Sequence, residues 1–397
     1  MATVVELGAV EGFILDDIVA GVLDNTVYTL GGVIFKDITS RVVTIDVERG
    51  KNRDLDRFSA GSLTVTASNN DRAFDPNYAA SPYAGAIVPR REVRVTVDGV
   101  RVITTTIDDW NFDYKPGGNS TAEIQATDDF TLLARQVLTA GTATPQLTGA
   151  RIEAVLDQAS VAWPASLRNI DTGNSTLGAD VFDGNVLSYL QKVEGSEQGL
   201  LFIGKSGDVV FRDRLDATPY SATVVDFTDD GTGIPFTLTA VNYGSELLYN
   251  QAIVTSSVGT ATAANDRSQI AYGVTSYSLD TLVSTQVQLD NLADFIVQKY
   301  GDPEYRFESI SVNLDTVGST YKATCLALDI GDIISMTFTP NNLGDPIIQF
   351  GQIIRIGHSM DGLSHNMSLS VASLDWSFLV LDDAVFGKLD SNNALAF

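Results

Sequence analysis

Gly50-Lys51-Asn52-Arg53-Asp54-Leu55-Asp56-Arg57-Phe58-Ser59-Ala60-Gly61 is a polar loop bounded by glycines, and it feeds directly into Ser62-Leu63-Thr64-Val65-Thr66-Ala67. In that second run apolar and hydroxyl residues alternate, the period-two pattern of a half-buried strand. A second constrained loop follows, Asn69-Asn70-Asp71-Arg72-Ala73-Phe74-Asp75-Pro76, and then Ser81-Pro82-Tyr83. Pro76 and Pro82 hold the residues before them extended, and the Asn and Asp side chains offer acceptors to their own backbone. A loop specified this closely is specified as a shape, so we expect it to form a surface that a neighbour must fit.

The same strand texture continues outward. Arg91-Glu92-Val93-Arg94-Val95-Thr96-Val97 and Val100-Arg101-Val102-Ile103-Thr104 alternate on either side of Asp98-Gly99, a strong short hairpin signal. Val27-Tyr28-Thr29-Leu30 and Val33 to Ile38 read as strands around Gly31-Gly32. Trp110, Phe112 and Tyr114 recur with period two, and Ala122 to Ala126 is another strand. These define a β-rich barrel or sandwich over 26–130, preceded by an N-terminal arm at 1–25. Residues 131–235 read as an α+β insert. One helix starts at Thr148 with Ile152, Val155, Leu156 and Ala159 on one face. Another follows an Asn185 cap with Val186, Tyr189, Leu190 and Val193 inward, ending before Gly195. Leu200–Ile203 and Val209–Phe211 form a hairpin.

Asp226 to Pro235 has the composition of a linker, and Gly259 to Asp266 that of a loop tip. Residues 236–304 are read as linker, strands and an amphipathic helix carrying Leu289, Leu292, Ile296 and Tyr300. Residues 305–380 return to β, and 381–397 form a C-terminal tail. The fold class is therefore mainly β with an α+β insert.

Length and charge narrow the function. A chain of 397 residues exceeds what one core usually serves, so several domains are expected. Fifty acidic against twenty-five basic residues give a net charge of -25, which argues against wrapping a nucleic acid. Such charge serves solubility; it also suits a wall past which DNA travels without sticking. The single cysteine, Cys325, allows no intrachain disulfide and lies in an apolar run as an inert thiol. No run approaches the roughly 18 apolar residues of a spanning helix, and no signal-peptide pattern opens the sequence, so folding in a cytoplasm is expected.

Reactive constellations are scarce. The two histidines, His358 and His365, flank a hairpin turn with Asp361 between them, at most half a metal shell. No nucleophile elbow or phosphate loop accompanies them. Asp171-Thr172-Gly173-Asn174 and Asp229-Asp230-Gly231 have a calcium-loop flavour without the full spaced ligand set. Adjacent acidic pairs such as Asp16-Asp17, Asp108-Asp109 and Asp382-Asp383 do not supply the spaced carboxylates a glycosidase needs. The row Trp110, Phe112, Tyr114 reads as core before it reads as a sugar platform. No catalytic residue, metal or cofactor is assigned, and the chain is not expected to be an enzyme.

Taken in order, Phe13-Ile14-Leu15-Asp16-Asp17, Gly21-Val22-Leu23-Asp24-Asn25, the 50–83 loops, Pro89-Arg90-Arg91, Asp109-Trp110-Asn111 and Ala126-Thr127-Asp128-Asp129-Phe130 resemble the minor tail proteins of long-tailed bacteriophages (siphophages). The resemblance is to the tail-hub type of phages of actinobacteria, and through it to the baseplate hub of contractile-tailed phages. It implies two tail-tube-like β-barrels per chain and a homotrimer that presents quasi-sixfold symmetry. It further implies a virion location at the tail tip after assembly in the host cytoplasm, with DNA passing through the lumen at ejection. The implied partners are the distal tail ring protein, the tape-measure protein and other minor tail proteins. On this reading Phe74, Asp75, Pro76, Pro82 and Tyr83 are the candidate subunit interface, with Phe74 and Tyr83 as aromatic anchors. The alternatives are a receptor- or glycan-binding tail-tip protein and a tail-associated wall hydrolase.

Overall fold

A computed structural model describes residues 2–9, 34–139, 141–214 and 224–374. The readings at Phe13–Asn25, Val27–Gly32, Asp382-Asp383 and 381–397 lie outside them. The described chain is mainly β with a mixed insert, the class expected from its sequence. Alternation does what it should in the quoted strand: across Ser59–Ser68 the side chains of Leu63, Val65 and Ala67 are buried. At the Asp98-Gly99 turn both residues have positive φ, 47° and 85°, as a type I′ hairpin requires.

The two β-rich ends do not stand apart as separate sheets. Thirteen strands form one sheet. Its N-terminal part runs Ile34–Asp37, Thr3–Ala9, Glu92–Val97, Val100–Asp113, Thr121–Thr127, Ser59–Ser68, Val42–Gly50. Its C-terminal part continues through Ile347–Asp361, His365–Leu374 and Tyr305–Asn313 to the edge strand Thr237–Tyr243. Ile347–Asp361 is the join. Its first half pairs with Ile333–Phe338, and its second half pairs Arg355–Asp361 with Gly50–Thr44. At the crossover Gly50 has φ +119°, and a Cβ there would sit 2.2 Å from the Ile354 carbonyl oxygen, so only glycine fits.

Several boundaries differ from the sequence reading. Thr3–Ala9, within the range read as an arm, is a sheet strand between Glu92–Val97 and Ile34–Asp37. Val225–Thr228, within the expected linker, pairs parallel with Ile333–Phe338. Phe227 is fully buried there, and Asp226 accepts from the Ser335 hydroxyl. Gly259–Ala264 is a strand paired with Gln251–Ser256 rather than a loop tip. Composition misleads in both cases, because backbone pairing compensates for small or polar side chains.

Helix Val186–Glu197 starts where expected, with the Asn185 side chain accepting from Ser188 N at 3.0 Å. It runs past Gly195, because the buried Glu197 carboxylate accepts from Ser175 N and Thr148 Oγ1 and holds the last turn. Helix Gln286–Tyr300 buries Leu289, Leu292, Ile296 and Tyr300 and stops at Gly301 as expected. It packs with Gln251–Ser256 and Gly259–Ala264 around a core separate from the main one. Among the described residues no helix is long and apolar enough to cross a membrane.

Candidate assembly surface and buried polar clusters

The 69–83 loop is built by its own acceptors. Asn69 Oδ1 accepts from Phe74 N at 2.9 Å, and Asp75 Oδ1 from Asn77 N at 2.8 Å. Asp75 Oδ2 takes Arg72 Nη2 at 2.6 Å and Nε at 2.9 Å. Those Arg72 bonds hold the Asp75 carboxyl below its usual range. Asn70 Oδ1 and the Asn69 backbone tie the loop to Ser120 at 2.8 Å each.

Phe74 and Tyr83 turn into the chain's own core. Phe74 is fully buried and Tyr83 is 8% exposed, stacked on each other at 5.1 Å between ring centroids. Their reading as exposed anchors is therefore corrected: apolar rings flanked by proline kinks turn inward, since the adjacent sheet supplies apolar cover. Asp75 is also buried, whereas Pro76, Tyr78 and Pro82 are exposed. These exposed residues form the loop's outer rim, with Tyr78 beneath the Arg72 guanidinium at 5.2 Å.

From Phe74 the rings continue to Trp110 at 5.9 Å, Phe112 at 6.2 Å and Tyr114 at 6.1 Å. The row passes from core to surface, Tyr114 being 49% exposed. The rings stack on one another, so their faces are largely used internally rather than offered to a sugar.

Asp128 joins two of the motifs picked out in the sequence. Its carboxylate accepts from Gly61 N at 2.7 Å and Phe130 N at 3.0 Å, and burial pushes it up to about 7. His358 and His365 meet across their hairpin with Nδ1 and Nε2 3.0 Å apart, both buried. Burial lowers both, His365 to about 4 and His358 well below its ordinary value. Among the described residues no group of three metal-ligating side chains forms. Asp171 instead binds Arg212 at 3.0 Å, and Asp229 accepts from Thr339 N at 2.7 Å. Cys325 is buried and pushed up to about 11.

The sequence reading missed a buried charge cluster. Asp54 Oδ2 accepts from Tyr300 Oη at 2.6 Å and Lys299 Nζ at 2.7 Å. Lys51 Nζ donates to the Asp54 carbonyl. Glu194 lies buried beside them, its Oε1 accepting from Leu201 N at 3.3 Å. Burial pushes Glu194 up to about 7 against the attraction of Lys51. Burial also pushes Asp54 up, but Lys299 and Lys51 outweigh it and hold that carboxyl below its usual range. The available signal was Glu194 itself, an acid on the apolar face of its helix.

These groups set opposing pH dependences. Folded Glu194 and Asp128 keep protons that the unfolded chain releases above its ordinary 4.5 and 3.8. Their contribution is complete at low pH and is lost as pH rises to about 7. His365 contributes fully above 6.5 and loses that contribution as pH falls toward about 4. We expect Glu194→Gln to match the wild type near pH 4 and to exceed it above pH 7. The gain should be roughly 3 kcal/mol at about 1.4 kcal/mol per pH unit, read from urea midpoints. An identical midpoint difference at both pH values would refute the assignment.

No protein-family model and no curated protein matches the sequence. Solved structures do match in fold. The 43 kDa tail protein of prophage MuSo2 from Shewanella oneidensis aligns with a TM-score of 0.56 at 14% identity, covering 94% of this chain and 98% of its own. The tail protein from Neisseria meningitidis MC58 aligns with a TM-score of 0.60 at 10% identity, covering 94% and 97%. The chain thus has the fold of phage tail proteins along nearly its whole length.

Proposed function

We propose that the chain is a structural virion protein, the tail hub at the distal end of a long-tailed phage tube. In this reading three copies close a ring that joins the tube to the tail tip and lets DNA pass. The observation that carries it is the extent of the fold match, 94% of this chain against nearly the full length of two tail proteins. The join at Ile347–Asp361 adds support, because it makes the two β-rich ends one rigid platform, the kind of element a ring subunit needs to present two contact sets. The net charge of -25 suits a lumen that repels phosphate.

No catalytic step is assigned, since both histidines are buried against each other. The distal tail ring protein and the tape-measure protein are the expected neighbours. The outer rim at Pro76, Tyr78 and Pro82 is a contact offered to an adjacent subunit. A reconstruction of the intact tail tests the reading. We expect threefold symmetry for this chain and a lumen wall with more Asp and Glu than Lys and Arg. Six equivalent copies, or a basic wall, would replace the hub with a different tail component.

A further inference from the structure

Residues 248–300 form a body of their own. Strands Gln251–Ser256, Gly259–Ala264 and Ser276–Asp280 make a separate three-stranded sheet. Helix Gln286–Tyr300 covers it, and Val254, Leu289, Leu292 and Ile296 belong to a core distinct from that of the rest of the chain. The chain enters this body from Thr237–Tyr243 and leaves it into Tyr305–Asn313. Those two strands are antiparallel neighbours, with Tyr243 directly opposite Tyr305. Entry and exit therefore form one narrow neck. A cleft of about 300 Å³ lies beside it, lined among others by Asp54, Gly244, Glu246, Glu304 and Arg306.

Ion pairs and hydrogen bonds run along the boundary between the body and its surroundings. Loop residues Lys51 to Arg57 reach it from the N-terminal sheet. Asp54 binds Lys299 and Tyr300 of the body, and Arg53 binds Glu246 in the neck at 2.6 Å. On the insert side, Lys192 pairs with Asp280 at 2.9 Å, and Ser196 Oγ accepts from Leu282 N at 2.9 Å. Gly178 N donates to Leu282 O at 2.8 Å, and Ser284 N to Thr176 O at 3.0 Å. Apolar side chains cross the seam too: Leu55 packs against the body's core, Leu282 packs against the main one, and Leu177 of the insert forms a backbone bridge with Val283.

We propose that residues 248–300 are a hinged module that swings on the Tyr243/Tyr305 neck and is latched closed by the Lys51–Arg57 loop. Three observations converge on this. A separate core means the module can move with its own packing intact, taking only Leu282 away from the edge of the main one. A neck of two adjacent strands confines the motion to a few dihedrals, as hinge closure requires. A seam of charges and hydrogen bonds regains hydration when it parts, unlike an apolar one, and polar seams between bodies are those at which relative motion is the default. The Arg53–Glu246 and Lys192–Asp280 pairs are exposed on both sides, and exposed ion pairs hold a body in place only weakly. The inference rests on the neck and the seam, not on the tail reading.

The test is a distance between spin labels on the full chain at Asn111→Cys and Val258→Cys, both exposed positions, Cys325 being buried. The unaltered latch should give a single distance. Asp54→Asn and Leu55→Ala should each add a second, longer one. In both, the seam amides of Leu282 and Ser284 should exchange about tenfold faster, while Ala252 and Val254 inside the module stay protected. A single unchanged distance in both variants would overturn the latch. A longer distance that appears only with lost protection at Ala252 and Val254 would also overturn it, because the module would then be unfolding rather than swinging.

Discussion

Gly50→Ala should be among the most damaging single substitutions in the described chain. Its Cβ would lie 2.2 Å from Ile354 O and 2.6 Å from Arg355 Cα, both backbone atoms that no rotamer change can clear. The φ of +119° adds strain of order 1–3 kcal/mol for any L side chain. Relief requires separating Val42–Gly50 from Ile347–Asp361, and that ladder joins the two parts of the sheet. Lys51 N to Ile354 O, 2.9 Å, would be lost with it. We expect about 3 kcal/mol or more of destabilisation, read as a lower thermal or urea midpoint. Gly85→Ala is the control: its φ is +80° but nothing lies within 4 Å, so it carries the φ cost alone. Equal midpoints for the two variants would mean that the close approach at Gly50 does not matter.

Phe74→Ala should cost about 3–5 kcal/mol, the range for emptying a fully buried aromatic site. Tyr83 and Trp110 both pack against the ring, at 5.1 and 5.9 Å, and the loop around them is fixed by its own hydrogen bonds, so collapse into the cavity is restricted. Loss of tail assembly in this variant would report misfolding, not a lost contact. The contact is probed by Tyr78→Ala, at a side chain 37% exposed. That change should leave the unfolding midpoint within about 0.5 kcal/mol of wild type while reducing incorporation into tails. If Tyr78→Ala assembles normally, the outer rim of the 69–83 loop is not a subunit boundary. If Phe74→Ala unfolds at the wild-type midpoint, the aromatic stack is not a core element.

Local pattern alone determined a good deal of this protein. The alternation in Ser62–Ala67, the Asp98-Gly99 turn, the Asn185 cap and the apolar face of Gln286–Tyr300 appear where their residues place them. Each depends on interactions a few residues apart, which sequence records directly. What lay beyond the sequence depends on pairings at long separation. That Gly50 meets Ile354, that Val225–Thr228 and Gly259–Ala264 are strands, and that Lys51 is buried and Asp54 half-buried beside Lys299 all follow from which segments become neighbours. Hydrophobic burial decides that globally, and a polar or small-residue segment carries no mark of the partner that will complete its backbone hydrogen bonds. The aromatic loop shows the limit most clearly. Its sequence specified a fixed shape, while the direction in which Phe74 and Tyr83 point was decided by the sheet beneath them, which offered the rings apolar cover that water does not.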